Sequence, residues 1–146
     1  MANNYLESSF SISLLSQKEI DWWNKEGYRE KDEDLDSQDM TVDNAYCNDW
    51  ERIDDGSIWF HGEESLDVDA AALVIQRFLR DCRPDGCVGL TYAVTCSKPR
   101  LDEFDGGGIF ITSSKIKTMN GYSWIQEQIN KFNKMNVIAR EIDKEI

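Results

Sequence analysis

A chain of 146 residues with 40% hydrophobic content is sized for one domain and can close a core without metal or disulfide. Its net charge of −12, from 28 acids against 16 bases, argues against sequence-independent binding to DNA, RNA or an anionic membrane surface, where Lys and Arg on phosphate supply the affinity. No apolar run reaches the roughly 18 residues that span a bilayer, and the N-terminus lacks the basic and apolar regions of a signal peptide, so the cytoplasm is the expected compartment.

Residues 1–8 read as a loose start. Phe10, Ile12 and Leu14 then alternate with Ser9, Ser11 and Ser13, the period of a half-buried strand. Ser16 with Glu19 three residues on forms a capping box and opens a short helix. That helix turns Ile20 and Trp23 inward and stops near Gly27.

Residues 26–55 hold twelve acids against three bases. An acidic, solvated insertion is expected at about 29–45, since so little apolar surface cannot offset ordering entropy. Asp32, Glu33, Asp34, Asp36 and Asp39 are its densest part and would be the residues to meet a basic protein surface. The Asp32-Asp34-Asp36 run lacks the Gly and closing Glu of an EF-hand loop, so no metal is assigned.

Alternation over 46–53 and 57–63 about Asp55-Gly56 predicts a β-hairpin. His61, the only histidine, stands beside Glu63 and Glu64 without the partners a catalytic or metal site needs. Asp67 caps the strongest helix, 68–82, whose stripe is Ala71, Val74, Ile75, Phe78 and Cys82. Arg77, Arg80 and Arg83 fall towards its negative end.

Residues 88–112 read as two central strands joined by a loop. On the first, Leu90, Tyr92 and Val94 alternate with the small Gly89, Thr91 and Ala93, and the small face is expected to receive the 68–82 helix. On the second, Ile109, Phe110 and Ile111 are apolar on both faces, as in an interior strand. A last helix over about 121–136 carries Tyr122, Ile125, Ile129, Phe132 and Val137, and 139–146 are expected to fray. The order β-α-β-β-α-β-β-α predicts a single α+β domain over 1–146. Its expected form is a ferredoxin-like split βαβ sandwich, an antiparallel sheet with helices mainly on one face and the last helix docked at a sheet edge.

The connecting loop holds the candidate ligand-binding residues Cys96, Lys98, Arg100, Glu103, Asp105 and Gly107. Lys98 and Arg100 could clamp a small anion or nucleotide beside a glycine-freed backbone. The competing expectation is a structural turn, with Arg100 paired to Glu103 or Asp105 and Phe104 turned inward. The spacings of a P-loop and of GxGxxG are both absent. A Cys96 nucleophile would need His61 from another strand as its base. The cysteines lack CxxC spacing, so zinc is not expected either. No catalytic residue and no cofactor are assigned.

Ile58-Trp59-Phe60, Ile75-Gln76-Arg77-Phe78-Leu79 and above all Thr95-Cys96-Ser97-Lys98-Pro99-Arg100 with Glu103-Phe104 and Gly106-Gly107-Gly108 carry a resemblance. The chain resembles, over most of 9–128, a family of small acidic bacterial and phage proteins without an assigned activity. The resemblance implies a stand-alone single-domain protein and transfers no site residue.

A complete core beside an incomplete active site predicts a non-enzymatic, acidic interaction module. Two alternatives stay open. One is a phage-type acidic inhibitor that mimics nucleic acid towards a basic protein partner. The other is small-anion or nucleotide binding at the 96–108 loop.

Overall fold

Trp23 is fully buried, and its ring meets Trp22, Trp50, Phe60 and Phe78 at centroid distances of 5.0 to 5.8 Å. Around this cluster the computed structural model describes residues 4–14, 16–27, 40–53, 56–62, 66–96 and 105–144. In chain order they form β1 (Asn4–Ile12), α1 (Gln17–Glu26), β2 (Trp50–Arg52), β3 (Ile58–Gly62), α2 (Val68–Cys82), β4 (Cys87–Cys96), β5 (Asp105–Thr112), β6 (Ile116–Asn120) and α3 (Gly121–Lys144).

The class is α+β, as expected. The sheet is antiparallel at every pairing, with strands in the order β2-β3-β1-β4-β5-β6. The whole departs from the expected ferredoxin-like sandwich. A sixth strand lies beyond β5, formed by residues whose apolar alternation is too weak to read from sequence. The third helix does not cover the sheet. It leaves the end of β6, and among the described residues its main contacts are with β5 and β6.

Residues 4–8, expected to be loose, are strand: β1 begins at Asn4. Residues 4–7 pair with β4, and residues 8–12 pair with β3. At the hand-over the Ser8 hydroxyl donates to the Thr91 carbonyl at 2.7 Å.

Helix α1 starts at Ser16, whose Oγ accepts from the Glu19 N–H at 3.3 Å. The Glu19 carboxylate also takes Arg83, where Nη2 donates to Oε1 at 3.1 Å. Gly27 ends the helix in right-handed geometry, so a left-handed cap is not its role. A Cβ there would lie 2.4 Å from the Trp50 ring, and the Trp50 indole donates to the Gly27 carbonyl at 3.2 Å.

Helix α2 is capped by Asp67, whose Oδ1 accepts from the Ala70 N–H at 3.0 Å. It packs on β4 and β5 and against α1. The face of β4 that turns towards the core carries Leu90, not the small residues expected: Gly89 and Thr91 are exposed. Burying the larger side chains removes more apolar area from water, and this decides the orientation. On β5, Ile109 and Ile111 are buried while Phe110 is 46% exposed, so one face of this interior strand is uncovered.

Candidate interaction surface

Most of the sequence-predicted site lies outside the described residues. This holds for Lys98, Arg100 and Glu103, for Phe104, and for the acidic set Asp32, Glu33, Asp34, Asp36 and Asp39. Cys96 ends β4, where its backbone pairs with Asn4. Asp105 and Gly107 are the two candidates with described surroundings, and both lie at the root of α3.

Asp105 opens β5. Its Oδ1 accepts from its neighbour's Gly106 N–H at 2.8 Å and from the Tyr122 N–H at 3.1 Å. Asn120 Oδ1 accepts from the Ser123 N–H at 2.7 Å. Two side chains from two strands thus satisfy donors of the first turn of α3, and the Asp105 carboxylate sits at its positive end. Gly107 lies between Tyr92 on β4 and Asn120 on β6. A Cβ at Gly107 would fall 2.1 Å from the Met119 carbonyl oxygen and 2.8 Å from Tyr92 Oη. The glycine is required by close strand packing. Burial, aided by the charges of Asp105 and Asp69, raises the pKa of the Tyr92 phenol above its usual value.

From this root α3 runs 24 residues, about 36 Å at 1.5 Å per residue, past the expected end at 136. Every residue over 122–143 is exposed. Nine large apolar side chains are among them, each between 44% and 70% exposed. Summed over all sides of the helix they present on the order of 1,000 Å² of apolar surface. The 3–4 spacing continues through Met135, Ala139 and Ile142, a pattern present in the sequence but obscured by the charged Arg140, Glu141, Asp143 and Lys144 around it. The sequence reading stopped this helix too early.

A shallow groove of about 490 Å³ lies on the uncovered face of β4, β5 and β6. Phe10, Gly89, Gly108, Phe110 and Met119 line it, and Lys117 is its single charged residue. A lining of this kind offers contact area but no acid–base pair. His61 accepts or donates at 2.8 Å to Glu51 and stacks on Trp59 at 3.9 Å, at the opposite side of the sheet. Among the described residues, no three of His, Cys, Asp and Glu gather as a metal-holding group.

Arg77, in the C-terminal half of α2, has a side chain only 3% exposed, a burial that its place on the helix did not announce. Its Nη1 donates to the carbonyls of Val42 at 3.1 Å and Ala45 at 2.9 Å, and the guanidinium lies 5.8 Å from the Trp22 ring centre. Arg77 therefore fastens the chain that follows the acidic stretch onto α2. A conspicuously apolar stripe on both sides of one Arg was the available signal. Burial, the largest cause, raises the thiol of Cys47 to about 11, with the charges of Asp49 and Asp67 adding to it against a backbone hydrogen bond from Asp49. The Cys47 thiol is therefore protonated at neutral pH and fills core space.

No family model matches the chain, and comparison with curated proteins and with solved structures likewise found no match. Among the described residues no helix is long and apolar enough to cross a membrane.

Proposed function

We propose that this protein acts by binding rather than by catalysis, as a protein-interaction module whose contact element is α3. One observation carries the reading: a 24-residue amphipathic helix stands with its entire length from 122 to 143 exposed. Helices of this kind draw most of their stability from packing an apolar face. Asn130, Asn133 and Asn136 lower its intrinsic propensity further, so the sequence is suited to a helix that works while covered. The surface area presented matches the ~800 Å² per partner of a standard protein interface. At its root, Asp105, Asn120 and Gly107 fix the helix to the sheet, which keeps the face presented rather than folded back.

The first six elements also fit a split βαβ unit, a finer reading favoured by the neighbour order β2-β3-β1-β4 with antiparallel pairing throughout. On that reading β5, β6 and α3 are an appendage to the unit.

The test is comparative capture from cells. Tagged wild-type chain is compared with a triple variant, Ile129→Ser, Phe132→Ser and Met135→Ser, at positions that are all exposed. The proposal expects a protein retained by the wild type, whether a further copy or another chain, and lost from the variant. Identical capture by the two chains would overturn it.

A further inference from the structure

We propose that α3 is a homodimerisation helix: two copies pair their α3 helices antiparallel about a two-fold axis between Asn133 and Lys134. This rests on the reading of α3 as the contact element and names its partner. Three observations select a second copy.

The first is the seam itself. Ile125, Gln128, Phe132, Met135, Ala139 and Ile142 follow the alternating 3–4 spacing of coiled-coil core positions, which demands a helix as the partner. The other two helices of the chain are already packed: Trp23 of α1 and Phe78 of α2 are fully buried. Another α3 is the helix this chain can still supply.

The second is self-complementarity. Antiparallel pairing about that axis sets Ile125 against Ile142 of the second copy, Gln128 against Ala139, and Phe132 against Met135. Large faces large at the ends, an aromatic ring meets a flexible thioether at the centre, and the one polar side chain meets the smallest residue. A two-fold interface must match a surface to itself, and this sequence does so at all six positions.

The third is charge. At −12, two copies repel across most of their surfaces. Helix α3 is different, with Lys131, Lys134, Arg140 and Lys144 against Glu127, Glu141 and Asp143. Lys115 and Lys117 precede it on and beside β6. This is the part of the chain where two copies approach with least like-charge repulsion.

The experiment is sedimentation equilibrium of the purified full chain over a concentration series reaching about 200 µM, a range that detects dimers with micromolar dissociation constants. Four samples are run: wild type, Phe132→Glu, Met135→Lys, and an equal mixture of the two variants. Both substituted side chains are exposed in the single chain, so circular dichroism should report intact folding. The expected wild-type mass approaches twice 16.9 kDa. Each variant alone should dimerise at least about tenfold more weakly, because its charge would be buried without a partner. The mixture should recover the dimer: one Phe132·Met135 layer is intact and the other becomes a Glu–Lys pair. Recovery on mixing supports the antiparallel register. Variants that both remain dimeric would overturn the proposal, as would a mixture that fails to recover. A wild type of 16.9 kDa at every concentration would overturn it too. In that last case α3-dependent capture of a different protein would leave the interaction-module reading standing, and its absence would remove both.

Discussion

Asp105 Oδ1 accepts the backbone N–H of Tyr122 at 3.1 Å, so the residue that opens β5 also holds the first turn of α3. The start of β5 and the first turn of α3 therefore share one anchor. Asp105→Ala should cost about 1 kcal/mol, the usual loss for a removed cap. Chemical denaturation measures it, and hydrogen exchange should localise the loosening to the start of α3. Unchanged exchange there would mean that Asn120 suffices as the cap.

Gly107→Ala should be more damaging. The added methyl would sit 2.1 Å from the Met119 carbonyl oxygen, which belongs to backbone and cannot swing aside. Strands β5 and β6 must part, at a cost of roughly 2–3 kcal/mol by analogy with overpacked cores. Urea denaturation of this variant against wild type reads the loss. A change under about half a kcal/mol, the range of featureless surface positions, would contradict the packing account.

Arg77→Leu leaves the carbonyls of Val42 and Ala45 without this donor inside the protein. The expected destabilisation is roughly 2–4 kcal/mol in chemical denaturation. Arg77→Lys should rescue only part of it, since one ammonium does not reproduce the fixed fork of a guanidinium. Full rescue by Lys would show that charge alone matters at this position.

Stability should fall at alkaline pH, and Cys47 sets part of the slope. An ordinary thiol ionises near 9.0, whereas Cys47 is raised to about 11 in the folded chain. The unfolded chain therefore releases this proton first. The contribution is intact below about pH 9 and is lost as pH rises from 9 towards 11, by up to ~2–3 kcal/mol at 1.36 kcal/mol per unit. Cys82 and Tyr92 are shifted in the same direction by burial and add to the decline. Cys47→Ala should show a shallower loss of melting temperature between pH 8.5 and pH 10.5 than wild type. An equal slope would remove Cys47 from the account.

Local signals were legible wherever one side chain decides the structure. Ser16 and Asp67 cap the helices they were expected to cap, and the Ala71, Val74, Ile75, Phe78 stripe of α2 is core. Strand β6 was missed because Lys117 and Thr118 interrupt its apolar residues, and its pairing with β5 is a tertiary fact. The orientation of β4 was misjudged because close packing of small residues competes with burial of large ones, and burial won at Leu90. Asp105 and Gly107 stood out in the sequence as candidates for ligand contact; their described contacts are a helix cap and close strand packing, which depend on where β6 and α3 run and so cannot be read from loop composition. The apolar stripe of α3 was visible through Phe132. That it is exposed along its length among the described residues is a property of the fold, not of the stripe.

The most direct test of the central claim is hydrogen exchange followed by mass spectrometry on the peptide spanning 125–142, at increasing protein concentration. An uncovered helix with three mid-helix asparagines opens easily, and packing its face against a partner slows exchange. The account predicts that protection of 125–142 rises steeply with concentration while protection of α2 stays constant. Exchange of 125–142 that is fast and independent of concentration, in the purified protein and equally in cell lysate, would contradict it.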